Sequence, residues 1–320
     1  MIRLLAIAAL FAASPAFAAP SPVDLTAPGP QGPLAGTLLD PDPKGPLVLI
    51  IPGSGPTDRD GNSPLGVAGG PYRQLAEALA AKGIATLRID KRGLFGSTAA
   101  VADPNAATTG GYADDVQAWS KVARARTGRK CVWLLGHSEG GMVALVAAQR
   151  PEGLCGVILL SAIGRPMATV LRDQFRENPA NASILAAALG AIDSLEAGKR
   201  VPAATLPMPL PAIFSDAIQG YWIDLFSHDP AKLIASLKLP VLILQGTRDI
   251  QVSVADAEAL KRAQPKAVLT LLPGINHVFR PVASDDRMAN IATYGDATLP
   301  ISPDVAAAVA RFVNGSGKSD

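Results

Sequence analysis

The six residues Gly136-His137-Ser138-Glu139-Gly140-Gly141 constrain this chain more than any other stretch. They separate an apolar run, Cys131-Val132-Trp133-Leu134-Leu135, from a small-residue apolar run over 142–148. A strand that ends in a sharp turn and restarts as a helix lifts a serine hydroxyl clear of a sheet. The turn forces unusual backbone angles on the serine, so its flanking positions must be small; Gly136 and Gly140 lack a Cβ. At such a helix start the Glu139 amide can donate to an oxyanion forming at Ser138. The bare pattern also arises by chance, as a glycine-rich helix start with an idle serine, so the surroundings decide.

Those surroundings alternate. Residues 23–39 read as two short strands around the turn Pro28-Gly29-Pro30-Gln31-Gly32. Residues 46–51 are continuously apolar, as in a strand buried on both faces, and run into Pro52-Gly53-Ser54-Gly55-Pro56. Helical spacing over 72–82 stops at Gly83. A strand is expected over 84–90. A helix follows over 112–127, with Asp114 and Asp115 near its start and basic residues near its end. Further strands are expected over 155–161, 241–244 and 268–272, with helices over 254–263 and 303–313 and a long polar connection over 279–299. Strands alternating with helices predict a mostly parallel sheet covered on both faces. Residues 164–237 interrupt the pattern. They are helical in character, broken at Pro202, Pro207, Pro209 and Pro211, and too long for an ordinary connection. They predict an α-helical cap inserted into a core made of residues 19–163 and 238–314.

Residues 1–18 combine a charged start, a short apolar stretch and Ala16-Phe17-Ala18, the pattern of a signal peptide cleaved near Ala18. A periplasmic or secreted protein is therefore expected. The stretch is too short to span a membrane, and no cysteine lies nearby to carry a lipid, so no membrane anchor is expected. Residues 315–320 read as a disordered tail. The 29 basic and 27 acidic residues nearly balance and form no basic patch, which argues against a nucleic-acid partner. Cys131 and Cys155 each open an apolar run. If those strands are neighbours, the two can form a disulfide at the end of the sheet remote from Ser138; free buried thiols are the alternative.

Reactive groups in such a sheet gather at the carboxyl ends of the strands. Ser138, Asp249 and His277 each follow a strand end, in the order nucleophile, acid, base. A serine hydroxyl needs an imidazole to take its proton, and the imidazole needs a carboxylate to fix its tautomer. Among the three histidines, His137 sits in the elbow and should point away from the serine, and His228 lies in the expected cap. Asp249 has a rival role as a helix cap, and Asp256, inside the next helix, is the weaker choice for the acid. The second oxyanion donor is expected from the loop after residue 51, with the Ser54 amide first and Gly55 next. The Glu139 side chain is expected to point outward at its helix start. Arg59, Asp60 and Arg92 read as a structural salt-bridge network. No metal-ligand cluster, dinucleotide fingerprint or phosphate loop is present in the sequence, so neither metal nor cofactor is expected.

Together with Ile51-Pro52-Gly53-Ser54-Gly55-Pro56-Thr57-Asp58-Arg59-Asp60-Gly61-Asn62, Asp90-Lys91-Arg92-Gly93, Gly246-Thr247-Arg248-Asp249 and Asn276-His277, these residues resemble the α/β-hydrolase superfamily over nearly the whole mature chain. More narrowly, they resemble bacterial carboxylesterases of the EstD type and the serine aminopeptidase-like hydrolases. The resemblance implies a serine esterase on short acyl esters, a small-molecule ester as partner, and no cofactor. A peptidase or amidase on the same triad is the alternative, and would need an acidic or amine-recognising cap; a non-catalytic receptor is the reading from another class. The cap is expected to supply the acyl pocket, with Trp222, Phe226 and Phe214 either lining it or forming the cap's own core.

Overall fold

The computed structural model describes residues 20–315. The expected signal peptide lies outside the described residues, and so does the expected tail apart from Gly315, which closes the last helix. The chain opens with a hairpin, β1 (Val23–Pro28) and β2 (Pro33–Leu39), followed by β3 (Leu47–Ile51), α1 (Pro71–Ala80), β4 (Ala85–Ile89), α2 (Thr109–Thr127), β5 (Val132–His137), α3 (Glu139–Ala147) and β6 (Leu154–Leu160). Five helices then intervene without a strand: α4 (Met167–Glu177), α5 (Leu185–Glu196), α6 (Leu210–Ile213), α7 (Gln219–Phe226) and α8 (Pro230–Ala235). The alternation resumes with β7 (Val241–Gly246), α9 (Val254–Ala263) and β8 (Val268–Leu272), and α10 (Arg287–Gly295) and α11 (Pro303–Gly315) end the described chain.

The eight strands form one sheet in the order β1-β2-β4-β3-β5-β6-β7-β8. β1, β2 and β4 pair antiparallel, and every other pairing is parallel. The apolar runs are continuous because both faces are covered. Leu47, Leu49 and Ile51 of β3 join a layer with Val116 and Trp119 of α2 and Val143 of α3. Val48 and Ile50 face the other way, onto Tyr72 and Leu75 of α1 and Val305 and Val309 of α11. The α4–α8 insertion has a core of its own, in which Phe175, Phe214 and Phe226 pack with Ile192, Leu195 and Met142 of α3.

The stretch 279–299 is not simply a connection, because it contains α10. Asp286 caps that helix, its carboxylate accepting from the Ala289 amide, and only Asn290 and Tyr294 are buried along it. Two buried positions, one of them polar, leave too faint an apolar stripe for periodicity to register.

β5 and β6 are neighbours, with Val132 opposite Leu154. Cys131 and Cys155 are disulfide-bonded at the amino ends of these strands, their Cα atoms 5.2 Å apart. Ser138 lies beyond the opposite end of β5, so the bond staples the sheet away from the serine. The expected result of titrating denatured, unreduced protein is no free thiol, with both cysteines appearing after reduction. Reduction should lower stability by roughly 3 kcal/mol for a loop of this length. Titration of two thiols without reductant would contradict the bond.

Candidate active site

β5 ends at His137 and α3 begins at Glu139, leaving Ser138 as the single residue of the turn, at φ 54° and ψ −122°. A non-glycine residue there is strained by about 1–3 kcal/mol, and the surroundings must hold it. They do so by close backbone contact. A Cβ on Gly136 would sit 2.3 Å from the Gly140 carbonyl oxygen, and one on Gly140 would sit 2.4 Å from that of Ile51 and 2.5 Å from that of Pro52. β3, β5 and α3 therefore meet without side chains between them.

Asp249 follows β7, and His277 lies in the turn after β8. His277 Nδ1 donates to Asp249 Oδ2 at 2.8 Å, and the carboxylate has no exposed surface. Burial alone would raise the Asp249 pKa. The charge of His277, its hydrogen bond and the Val252 and Gln251 amides outweigh burial and hold it below the usual carboxylate value. With Nδ1 engaged, the neutral imidazole carries its lone pair on Nε2. Ser138 and His277 line the same cavity. Asp256 is placed elsewhere: it forms a capping box with Ser253 at the start of α9 and pairs with Arg165.

Glu139 differs from expectation. Its side chain is 4% exposed and turned inward. Ser54 Oγ donates to Glu139 Oε2 at 2.8 Å, and the hydroxyl of Tyr221, from α7, donates to Oε1. A charge at a helix start can face solvent, but two hydroxyl donors distant in sequence, one from a loop and one from α7, satisfy both carboxylate oxygens inside. The residues whose amides were expected to face an oxyanion are thus joined through their own side chains. Among the described residues, neither amide has a protein acceptor.

His137 points beneath the site and joins its two loops. Its Nε2 lies 3.0 Å from the His277 carbonyl, which can only accept, so the proton sits on Nε2. Nδ1 then accepts from the Tyr72 hydroxyl at 2.6 Å, and that hydroxyl accepts from the Gly53 amide at 3.1 Å. Lys91 Nζ donates to the Gly53 carbonyl at 2.7 Å. The sequence assigns no site role to Tyr72, Lys91 or Tyr221. Tyr72 reads there as an ordinary apolar position of a helix, and Lys91 as one of two bases in a turn.

The cavity over Ser138 encloses about 270 Å³. Its walls come from residues 53–72, with Leu65 and Val67, and from Gln251, Val278, Phe279 and Tyr294. This corrects the expected source of the pocket. Trp222, Phe226 and Phe214 pack in the insertion core and do not line the cavity; the insertion reaches the site through Tyr221 on Glu139. The cavity-forming loop is itself braced. The Asp58 carboxylate accepts from the Asp60 and Asn62 amides, Arg59 pairs with Asp90, and Arg88 pairs with Asp60. Arg92 pairs with Asp115 of α2. Among the described residues no group of three or more His, Cys, Asp or Glu is disposed to hold a metal.

A serine aminopeptidase S33 family model (Hydrolase_4) matches residues 65–201, a span that includes Ser138 but ends before Asp249 and His277. Esterase EstD of Thermotoga maritima is 30% identical over 233 residues, covering 70% of this chain and 52% of that protein. The chain thus spans about half the length of that curated relative. The serine hydrolase CCSP0084 from Cycloclasticus zankles, a polyaromatic hydrocarbon-degrading bacterium, superposes with a TM-score of 0.58 at 17% identity, covering 93% of this chain and 100% of that one. Est1E from Butyrivibrio proteoclasticus gives 0.57 at 19%, covering 92% and 99%. The structural likenesses and the sheet order show the α/β-hydrolase fold.

Burial, followed by the charge of His277, holds the His137 pKa well below its ordinary value. The unfolded chain protonates this imidazole below pH ~6.5, while the folded protein keeps it neutral to lower pH. The unfolded state then binds the extra proton, so stability falls with pH from about 6.5 downward, until the folded pKa is reached. This group therefore contributes stability that is present above pH ~6.5 and is lost as the pH falls below it. Urea unfolding of wild type and His137→Gln at several pH values should show a flatter profile for the variant. Parallel profiles would contradict a neutral His137 in the folded protein.

Proposed function

We propose that this chain is an exported carboxylic ester hydrolase that works through an acyl-enzyme on Ser138. The observation that carries the reading is the convergence in one cavity of Ser138, held in a left-handed elbow, and His277, engaged by the fully buried carboxylate of Asp249. Ser138 Oγ attacks the ester carbonyl as His277 Nε2 takes its proton. The Ser54 and Glu139 amides receive the oxyanion. The tetrahedral centre collapses, the alcohol leaves with the proton from His277, and the acyl group stays on Ser138. Water, deprotonated by the same imidazole, then attacks the acyl-enzyme and frees the acid. Asp249 keeps the Nδ1 proton in place and stabilises the imidazolium in both halves.

The lining points to a neutral substrate. No Asp, Glu, Lys or Arg is among the residues lining the cavity. An aminopeptidase needs an acidic partner for the substrate's free amine. Asp216, Asp224 and Glu196, the acids that the alternative depended on, stand apart from the cavity. The modest volume and the walls of Leu65, Val67, Val278 and Phe279 favour a short acyl chain. EstD, by its name, is an esterase. Export is supported by the pattern of residues 1–18 and by the Cys131–Cys155 bond, which suits an oxidising compartment.

Purified protein should hydrolyse p-nitrophenyl acetate and butyrate faster than the octanoate. Ser138→Ala should lower kcat by at least about 10⁴-fold. A folded wild type that is inert on all three esters, yet cleaves aminoacyl anilides, would replace this reading with the peptidase.

A further inference from the structure

We propose that Lys91 is a positioning residue of the oxyanion hole, which aims and polarises the Ser54 N–H by binding the other end of the same peptide unit. The proposal rests on the hydrolase reading above. The Gly53 carbonyl and the Ser54 N–H belong to one peptide group. The Gly53–Ser54 bond is trans, since the cis bond of the described chain is Met208–Pro209. In a trans peptide the carbonyl and the N–H point in opposite directions. Lys91 Nζ holds the carbonyl at 2.7 Å from the β4 side, so the N–H is directed away from β4, and Ser54 lines the cavity over Ser138.

The ammonium itself needs an explanation. Lys91 is 8% exposed, and no carboxylate of the described residues lies within ion-pair distance of it. Buried cations are normally paired, because desolvation is otherwise uncompensated. Burial pulls the Lys91 pKa below its ordinary value, and the charged form is supported by one backbone carbonyl, the face of Tyr112 with its centroid 5.8 Å away, and the more distant charge of Glu139. A neutral side chain would stabilise this position more cheaply. What the charge adds is a stronger pull on the Gly53 oxygen, and delocalisation across the amide passes that pull to the Ser54 hydrogen. Gly53 is gripped on its amide side too, by the Tyr72 hydroxyl. Glu139, on the elbow helix, holds the Ser54 side chain. The peptide is therefore fixed at both flanks, and Lys91 supplies the electrostatic component.

The test uses full-length mature protein with Lys91→Met, which removes charge and donor, and Lys91→Gln, which keeps a donor without charge. On p-nitrophenyl butyrate the methionine variant should lose about 30-fold in kcat with little change in KM, short of the loss from deleting a whole oxyanion donor. The glutamine variant should fall in between. An alkyl trifluoromethyl ketone separates polarisation from packing. Ser138 adds to it and leaves an anionic hemiketal in the oxyanion hole. Its affinity should fall in step with kcat/KM, while that of butyramide, which stays neutral and planar, should hold. If the methionine variant does not fold, the glutamine variant carries the same comparison. Active wild type with unchanged kcat and ketone affinity in the variants would overturn the role of Lys91 alone. So would equal weakening of ketone and butyramide, which marks a packing effect. Wild type that neither hydrolyses the ester nor binds the ketone would overturn the hydrolase reading, and this role with it.

Discussion

The site depends on a contact between backbones. α3 can start directly after β5 only because Gly140 packs on the Ile51 and Pro52 carbonyls and Gly136 packs on Gly140. A methyl group at either position would push the helix off the sheet edge and release Ser138 from its left-handed geometry. The same contact brings the end of β3 against the elbow. The loop that continues β3 is therefore registered against Ser138 before any polar group acts.

Polar groups then lock what the backbone has brought together. His137 binds the His277 carbonyl on one side and, through Tyr72, the Gly53 amide on the other. His277 and the loop after β3 are so held to one buried ring. Glu139 adds a second tie from the elbow helix to Ser54 and brings in Tyr221 from the insertion. Each net hydrogen bond of this kind contributes only about 1 kcal/mol to stability, but leaving one of these buried groups unpartnered costs more. The network is best understood as fixing positions, which is what catalysis by preorganised dipoles requires.

Much of this was legible in the chain because it is carried by local pattern. Ser138, Asp249 and His277 each follow an apolar run, and parallel strands deliver such positions to a common edge. The glycines around Ser138 carry the turn in their spacing. What escaped is set by partners far apart in sequence. Glu139 turns inward because Ser54 and Tyr221, 85 and 82 positions away, offer it hydroxyls. The cavity wall comes from residues 53–72 and the region of α10, not from the insertion, because Phe214 and Phe226 pack into the insertion's own core. Neither choice leaves a mark in composition or periodicity. α10 escaped for a related reason: its cap is plain in Asp286, but its buried face is too narrow and polar to read.

The measurement that tests the account most directly is covalent trapping. Diethyl p-nitrophenyl phosphate should phosphorylate the protein once per chain, and peptide mass spectrometry should place the adduct on Ser138. A crystal structure of the adduct should put the phosphoryl oxygen within hydrogen-bond distance of the Ser54 and Glu139 amides, with His277 still bound to Asp249. An adduct on another residue, or a phosphoryl oxygen turned away from both amides, would contradict the account.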